Sequence, residues 1–178
     1  SDITFSELHK QGIGVAKVIM QQRKERHMPI LVYLPKSVRS IVAFIGILYS
    51  GNIYTPTDVR FPFEKVRGII DALNPTVILT NDEYENILIS EGVNSKNILN
   101  LDKYEIPSGD KAEAKMLLNQ IIDTDPVYTF FTSGSTGVPK GVTITNHNII
   151  DYIDWAVDKF NINESTIMGN QSPFYFDI

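Results

Sequence analysis

The chain has 178 residues, 43% of them hydrophobic and 21% charged, with a net charge of −5. That length suits one domain with a real core, and that composition excludes a disordered chain. The acidic balance argues against a nucleic-acid partner, and the absence of cysteine excludes disulfides, thiolate catalysis and cysteine-held metal.

In chain order, Thr4-x-x-Glu7 forms a capping box that predicts the start of a first helix. Leu8, Val15, Ile19 and Met20 recur at helical spacing, with Gly12 and Gly14 as weak points. Ile30 to Leu34 is a continuous apolar run closed by Pro35, as a buried strand would be. Ser37 caps a second helix that ends at Gly51 and is apolar almost all round, which predicts a buried layer. Ile53-Tyr54 reads as a short strand, and Pro62 opens a helix to Leu73, stopped by Asn74-Pro75. Thr76 to Thr80 is β-rich, Asp82-x-x-Glu85 predicts a second capping box for a helix ending near Gly92, and Ile98 to Leu101 is a further strand. Residues 103–124 are charged, with a turn at Pro107-Ser108-Gly109 and a short helix over Ala112–Ile122. Val127–Phe131 and Val142–Thr145 are the last strands, and Asn146 caps a helix from His147 to Phe160. Strands alternating with helices predict an α/β fold: a mainly parallel sheet covered by helices, in one domain or one piece of a larger domain.

The longest apolar stretch, Ile41 to Tyr49, is too short to span a bilayer. Acidic and polar residues precede any apolar run at the start, so no signal peptide is visible and a cytoplasmic location is expected. His9, His27 and His147 lie far apart, with no metal-binding spacing. The basic stretch Arg23-Lys24-Glu25-Arg26-His27 reads as a solvated helix end. Tyr33, Tyr49 and Tyr54 sit in apolar contexts that predict packing, and Trp155 is expected in a core or a pocket wall.

The most informative run is Thr132-Ser133-Gly134-Ser135-Thr136-Gly137-Val138-Pro139-Lys140-Gly141. Its glycines let backbone N–H groups approach an anion closely, its hydroxyls add donors, and Lys140 supplies a point charge. Composition alone favours a Gly/Ser linker or a surface hairpin. The flanking strands and the Gly-x-Pro-Lys-Gly finish turn the balance toward a phosphate-binding turn for a nucleoside triphosphate. Pro139 before Lys140 and Gly141 after it exclude a Walker A loop, and the glycine spacing excludes a dinucleotide fingerprint.

The run from Ser133 to Gly141 resembles the signature of the adenylate-forming, AMP-binding enzymes: acyl-CoA synthetases, luciferases and peptide-synthetase adenylation domains. Thr4–Leu8 and Ser50–Asp58, followed by Pro62-x-x-Lys65-Val66, are similar to earlier segments of that family. Phe176-Asp177 looks like the opening of its next core motif. Two departures stand out: Phe131 where many relatives carry tyrosine, and Thr57 in place of an apolar residue. Asn148, Trp155 and Asn170–Asp177 are most similar to D-alanine–carrier-protein ligases, with peptide-synthetase adenylation domains close behind.

The resemblance implies that residues 1–178 are the N-terminal portion of an adenylation domain, cut at its C-terminal end and inactive alone. It implies that an amino acid is activated as its adenylate with ATP and Mg2+ and passed to a phosphopantetheinylated carrier protein. Thr132, Ser133, Gly134, Ser135, Thr136, Gly137, Lys140 and Gly141 would hold the nucleotide phosphates, with Lys140 catalytic. Asp177 would face the substrate ammonium, which a fixed carboxylate favours in a low-dielectric pocket. An acyl-CoA or aryl-CoA synthetase and a non-catalytic nucleotide-binding or scaffold module are the alternatives.

Overall fold

A computed structural model of the chain describes residues 2–132 and 139–176. Its elements run α1 (Phe5–Gln22), β1 (Pro29–Tyr33), α2 (Val38–Tyr49), β2 (Ile53–Thr57), α3 (Phe63–Leu73), β3 (Val77–Thr80) and α4 (Asp82–Ser90). There follow β4 (Ile98–Asn100), α5 (Lys111–Leu118), β5 (Pro126–Thr132), β6 (Lys140–Thr145) and α6 (Asn146–Phe160). The strands form one six-stranded sheet in the order β4-β3-β1-β2-β5-β6. All its pairings are parallel except β5 with β6, which is an antiparallel hairpin. The expected α/β architecture is the one observed.

Strand β1 shows why the apolar runs carry no alternation. Ile30 and Val32 join Val15, Ile19, Ile47 and Leu79 in one core. Leu31 and Tyr33, one residue out of phase, join Val66, Ile69, Ile78 and Leu88 in a second core on the other face of the sheet. A strand covered on both faces has no polar side to alternate with. Helices α1 and α2 cover the first face, while α3 and α4 cover the second.

The capping reading holds for α1, where Thr4 and Glu7 satisfy each other's backbone donors, and for Ser37 at α2. It shifts by one residue twice. Asn81, not Asp82, caps α4, because Glu85 is drawn away to Lys103 (2.6 Å) and Asn100 (2.7 Å). Thr145, not Asn146, caps α6, in a box closed by Asn148, while Asn146 donates its amide to the Ile122 carbonyl. Strand β2 runs past Tyr54 to Thr57 through Pro56, which is accommodated in register with Val32 of β1. Helix α5 is shorter than expected and ends at Leu118.

Two other expectations change. Helix α2 is buried on one side only: Val42, Ala43, Gly46 and Ile47 are covered, but Ile41 is exposed. Trp155 lies outside any core, half exposed on a helix with no buried residue, beside Tyr152 and Phe160. Tyr33 is buried as expected, and Tyr54 stacks on Phe44 with ring centroids 4.6 Å apart. Tyr49 half-packs and exchanges a 2.8 Å hydrogen bond with His9.

Gly12 and Gly14 are contact points rather than weak points in α1. A Cβ on Gly12 would meet Ile45 of α2 at 2.6 Å, and one on Gly14 would strike the Pro107 carbonyl. Gly46 completes the crossing, since its Cβ would lie 2.5 Å from Val15. The helices therefore touch backbone to side chain. Gly46→Ala should cost about 1–3 kcal/mol by overpacking. Gly169→Ala, where a Cβ meets open space, should stay within about 0.5 kcal/mol. Urea unfolding of the two variants checks both.

Candidate active site

In a parallel sheet, ligands gather at the carboxyl ends of the strands, where neighbouring connections leave on opposite faces. Here the loop after β1 leads to α2 on one face, and the loop after β3 leads to α4 on the other. A cavity of about 450 Å3 lies at that edge, lined among others by Leu34, Lys36, Thr57, Asp58, Tyr84 and Phe174.

Asp58, directly after β2, is nearly buried. Arg60 grips it in a fork: Nε donates to Oδ1 at 3.0 Å, a terminal nitrogen donates to Oδ2 at 2.7 Å, and the Arg60 backbone N–H donates to Oδ1 at 2.9 Å. The Arg60 guanidinium holds the Asp58 carboxyl below the usual carboxylate range, partly offset by burial, with a smaller contribution from the Tyr175 hydroxyl. Burial first and the Asp58 charge second push the Tyr175 phenol up. The Thr57 hydroxyl is buried without a hydrogen-bond partner among the described residues. Its lone polar atom marks the cost of threonine at a position read as usually apolar.

Lys36, in the loop between β1 and α2, reaches across the chain. Its Nζ donates to the Asn170 carbonyl (2.9 Å), the Asn170 side-chain oxygen (2.5 Å) and the Ser172 carbonyl (2.9 Å). Phe174 then packs edge-on against Phe44 at 5.6 Å, and Tyr175 packs on Phe61 at 4.9 Å. Phe176 reaches the hairpin, where it shares a groove of about 490 Å3 with Tyr128, Phe130, Val142 and Ile144.

That hairpin carries the glycine-rich run. Thr132 ends β5 and pairs with Lys140, which begins β6, and the Thr132 hydroxyl donates to the Lys140 carbonyl at 3.4 Å. Both residues are exposed at the same sheet edge as Asp58, because β5 runs parallel to its neighbour β2. Gly141 is required by packing: a Cβ there would meet the Thr129 methyl at 2.9 Å and the Phe131 ring at 3.3 Å. Phe131 itself is partly buried against the second core, which is a physical use for its bulk without a hydroxyl. Ser133, Gly134, Ser135, Thr136, Gly137 and Asp177 lie outside the described residues. The structure thus brings Thr132, Lys140 and Gly141 together on one hairpin.

Sequence reasoning passed over Lys36 and Arg60 and gave Asp58 no role. A usable signal existed for Lys36, which stands just past the predicted buried strand Ile30–Leu34, where a parallel sheet collects its functional loops; Asp58 follows its strand directly only because β2 runs on to Thr57. Among the described residues, no three His, Asp or Glu side chains converge as a metal cage. Phosphate-bound Mg2+ keeps most of its waters and needs no such cage. No helix among the described residues is long and apolar enough to cross a membrane.

The family model described as AMP-binding enzyme matches residues 1–178. The chain belongs to the AMP-binding enzyme family. It is 31% identical over 179 residues to a D-alanine–D-alanyl carrier protein ligase of Listeria monocytogenes, with 99% of this chain and 34% of the relative covered. It is 32% identical over 177 residues to the ligase of the same name from Staphylococcus haemolyticus, with the same coverage. The chain therefore spans about a third of the length of these relatives. In fold it is similar to a fatty acid AMP ligase from Legionella pneumophila, at TM-score 0.78 and 21% identity, with 93% of this chain and 29% of that chain covered. It is likewise similar to a four-domain nonribosomal peptide synthetase solved with AMP and glycine, at TM-score 0.73 and 24% identity, covering 90% of this chain and 11% of that one.

The lowered Asp58 pKa carries a sign. Its contribution is full above the ordinary value of 3.8 and is lost as pH falls through the lower folded-state value. The stability difference between the unaltered protein and Asp58→Asn should therefore be constant near neutrality and shrink in acid. Denaturant melts across a pH series read it out.

Proposed function

We propose that this chain carries the phosphate-binding half of an amino-acid adenylating ligase. The amino-acid carboxylate attacks the α-phosphorus of ATP, the bond to the bridging oxygen breaks, and pyrophosphate leaves. The thiol of a carrier protein's phosphopantetheine arm then takes the aminoacyl group and releases AMP. The observation that carries this reading is the placing of Lys140 and the ends of the glycine-rich run at the carboxyl edge of the sheet. The segment leading to Asp177 rests against the same hairpin.

Charge grows on the pyrophosphate as it leaves, so donors already aimed there lower the barrier without reorganising. Thr132 and the hydroxyls of Ser133, Ser135 and Thr136 would serve as donors, and Lys140 would serve as the charge. Gly134, Gly137 and Gly141 would let the backbone approach. Mg2+ bound to the phosphates would share that charge. Asp177 would hold the substrate ammonium and so select an amino acid over a fatty or aryl acid. The name shared by the relatives favours D-alanine as substrate and a carrier protein as acceptor.

ATP–pyrophosphate exchange by the full-length protein, across glycine and D- and L-amino acids, tests the reading. D-alanine is the expected responder. Exchange with fatty or aryl acids alone would replace it with an acyl-CoA synthetase reading, and no exchange with any acid would leave a binding module. Lys140→Ala should lower the exchange kcat about a hundredfold while leaving the amino-acid KM within about threefold. Equal losses in both would make the lysine structural.

A further inference from the structure

We infer that Lys36 and the Asp58–Arg60 pair are positioning residues for amino-acid recognition, acting through residues 170–176. The inference rests on the adenylation reading and on Asp177 as the ammonium partner.

The segment after α6 has no regular secondary structure from Gly169 to Pro173. A peptide of that kind holds no fixed course through its own backbone hydrogen bonds and must borrow one. It borrows from two loops far away in sequence. Lys36 Nζ is bound by three oxygens of Asn170 and Ser172, which uses all of its donors. The same ammonium stands 5.2 Å from the centre of the Phe174 ring. One residue further on, Tyr175 lines the same cavity as Asp58 and Arg60 and packs on Phe61. Phe61 is in turn covered by Lys65, whose Nζ lies 3.6 Å from the ring centre.

The two anchors differ in kind. Lys36 is exposed and contributes little to the core, so its cost in side-chain entropy has no evident return in folding. Its return is a fixed path for the backbone at 170 and 172. The Asp58–Arg60 fork is already closed on itself, so it offers Tyr175 a rigid partner rather than a competing one. Together the anchors pin both sides of Pro173 and Phe174, at Ser172 and Tyr175, five and two residues before Asp177. A carboxylate delivered from a pinned segment meets an ammonium without a search. A misplacement of about 1 Å in such a group can cost up to a hundredfold.

ATP–pyrophosphate exchange by the full-length protein tests this, with glycine, D-alanine and the L-amino acids as probes and a thermal melt run on each variant. Lys36→Met and Tyr175→Phe should each raise the amino-acid KM about tenfold with the ATP KM and Tm unchanged. Lys36→Arg, which keeps a cation with several donors, should restore most of the loss. Asp177→Asn separates the two claims. If it raises the amino-acid KM and Lys36→Met does not, the positioning role is wrong and the ammonium assignment stands. If neither moves it, the reading of Asp177 fails and the positioning role fails with it. A Lys36→Met variant that loses Tm and both KM values together would show a merely structural contact.

Discussion

The burial of β1 on both faces and along both edges is the constraint from which the rest follows. Its neighbours β2 and β3 pair with it in parallel, and its side chains divide between two cores. A strand so enclosed can slip neither in register nor in face without exposing several large apolar groups, each worth about 1.5–3 kcal/mol when buried. The loop that leaves β1 toward α2 therefore starts from a fixed point. Lys36 lies in that loop, which explains how one exposed lysine can hold a segment more than 130 residues away.

Parallel pairing adds direction to that fixed point. Because β1, β2, β3 and β5 all run the same way, their carboxyl ends present Lys36, Asp58, Asn81 and Thr132 along one edge. Right-handed crossovers then send α2 to one face and α4 to the other, leaving a crevice between them. The hairpin of β5 and β6 stands at the same edge, with Thr132 and Lys140 paired at its end. No single element makes the site; the edge does.

Charge is handled sparingly within this frame. The nearly buried Asp58 is paired in a fork with Arg60, so its charge is not left unpaired. Glu85 is held below the usual carboxylate range first by Lys103 and then by the Asn100 amide. The exposed Lys140 is left at the strand end beside the glycine-rich run. The protein thus spends its internal ion pairs on holding loops in place.

The order of elements was legible from the residues because apolar runs, capping boxes and breakers act over a few positions. Thr4-x-x-Glu7, Ser37 and Asn74 mark helix ends by chemistry they complete locally. The glycine-rich signature was legible for the same reason, as a dense local pattern. The errors fell where a distant partner outbid a local one. Glu85 left its capping box for Lys103 and Asn100, and Gly12 and Gly14 were needed by Ile45 and Pro107 rather than tolerated by their helix. Sequence by itself determined the fold class, the family and the place of the glycine-rich run between two strands. Only the tertiary structure decided that Lys36, Asp58 and Arg60 meet residues 170–175, because strand order, not sequence spacing, decides which loops share the edge of a sheet.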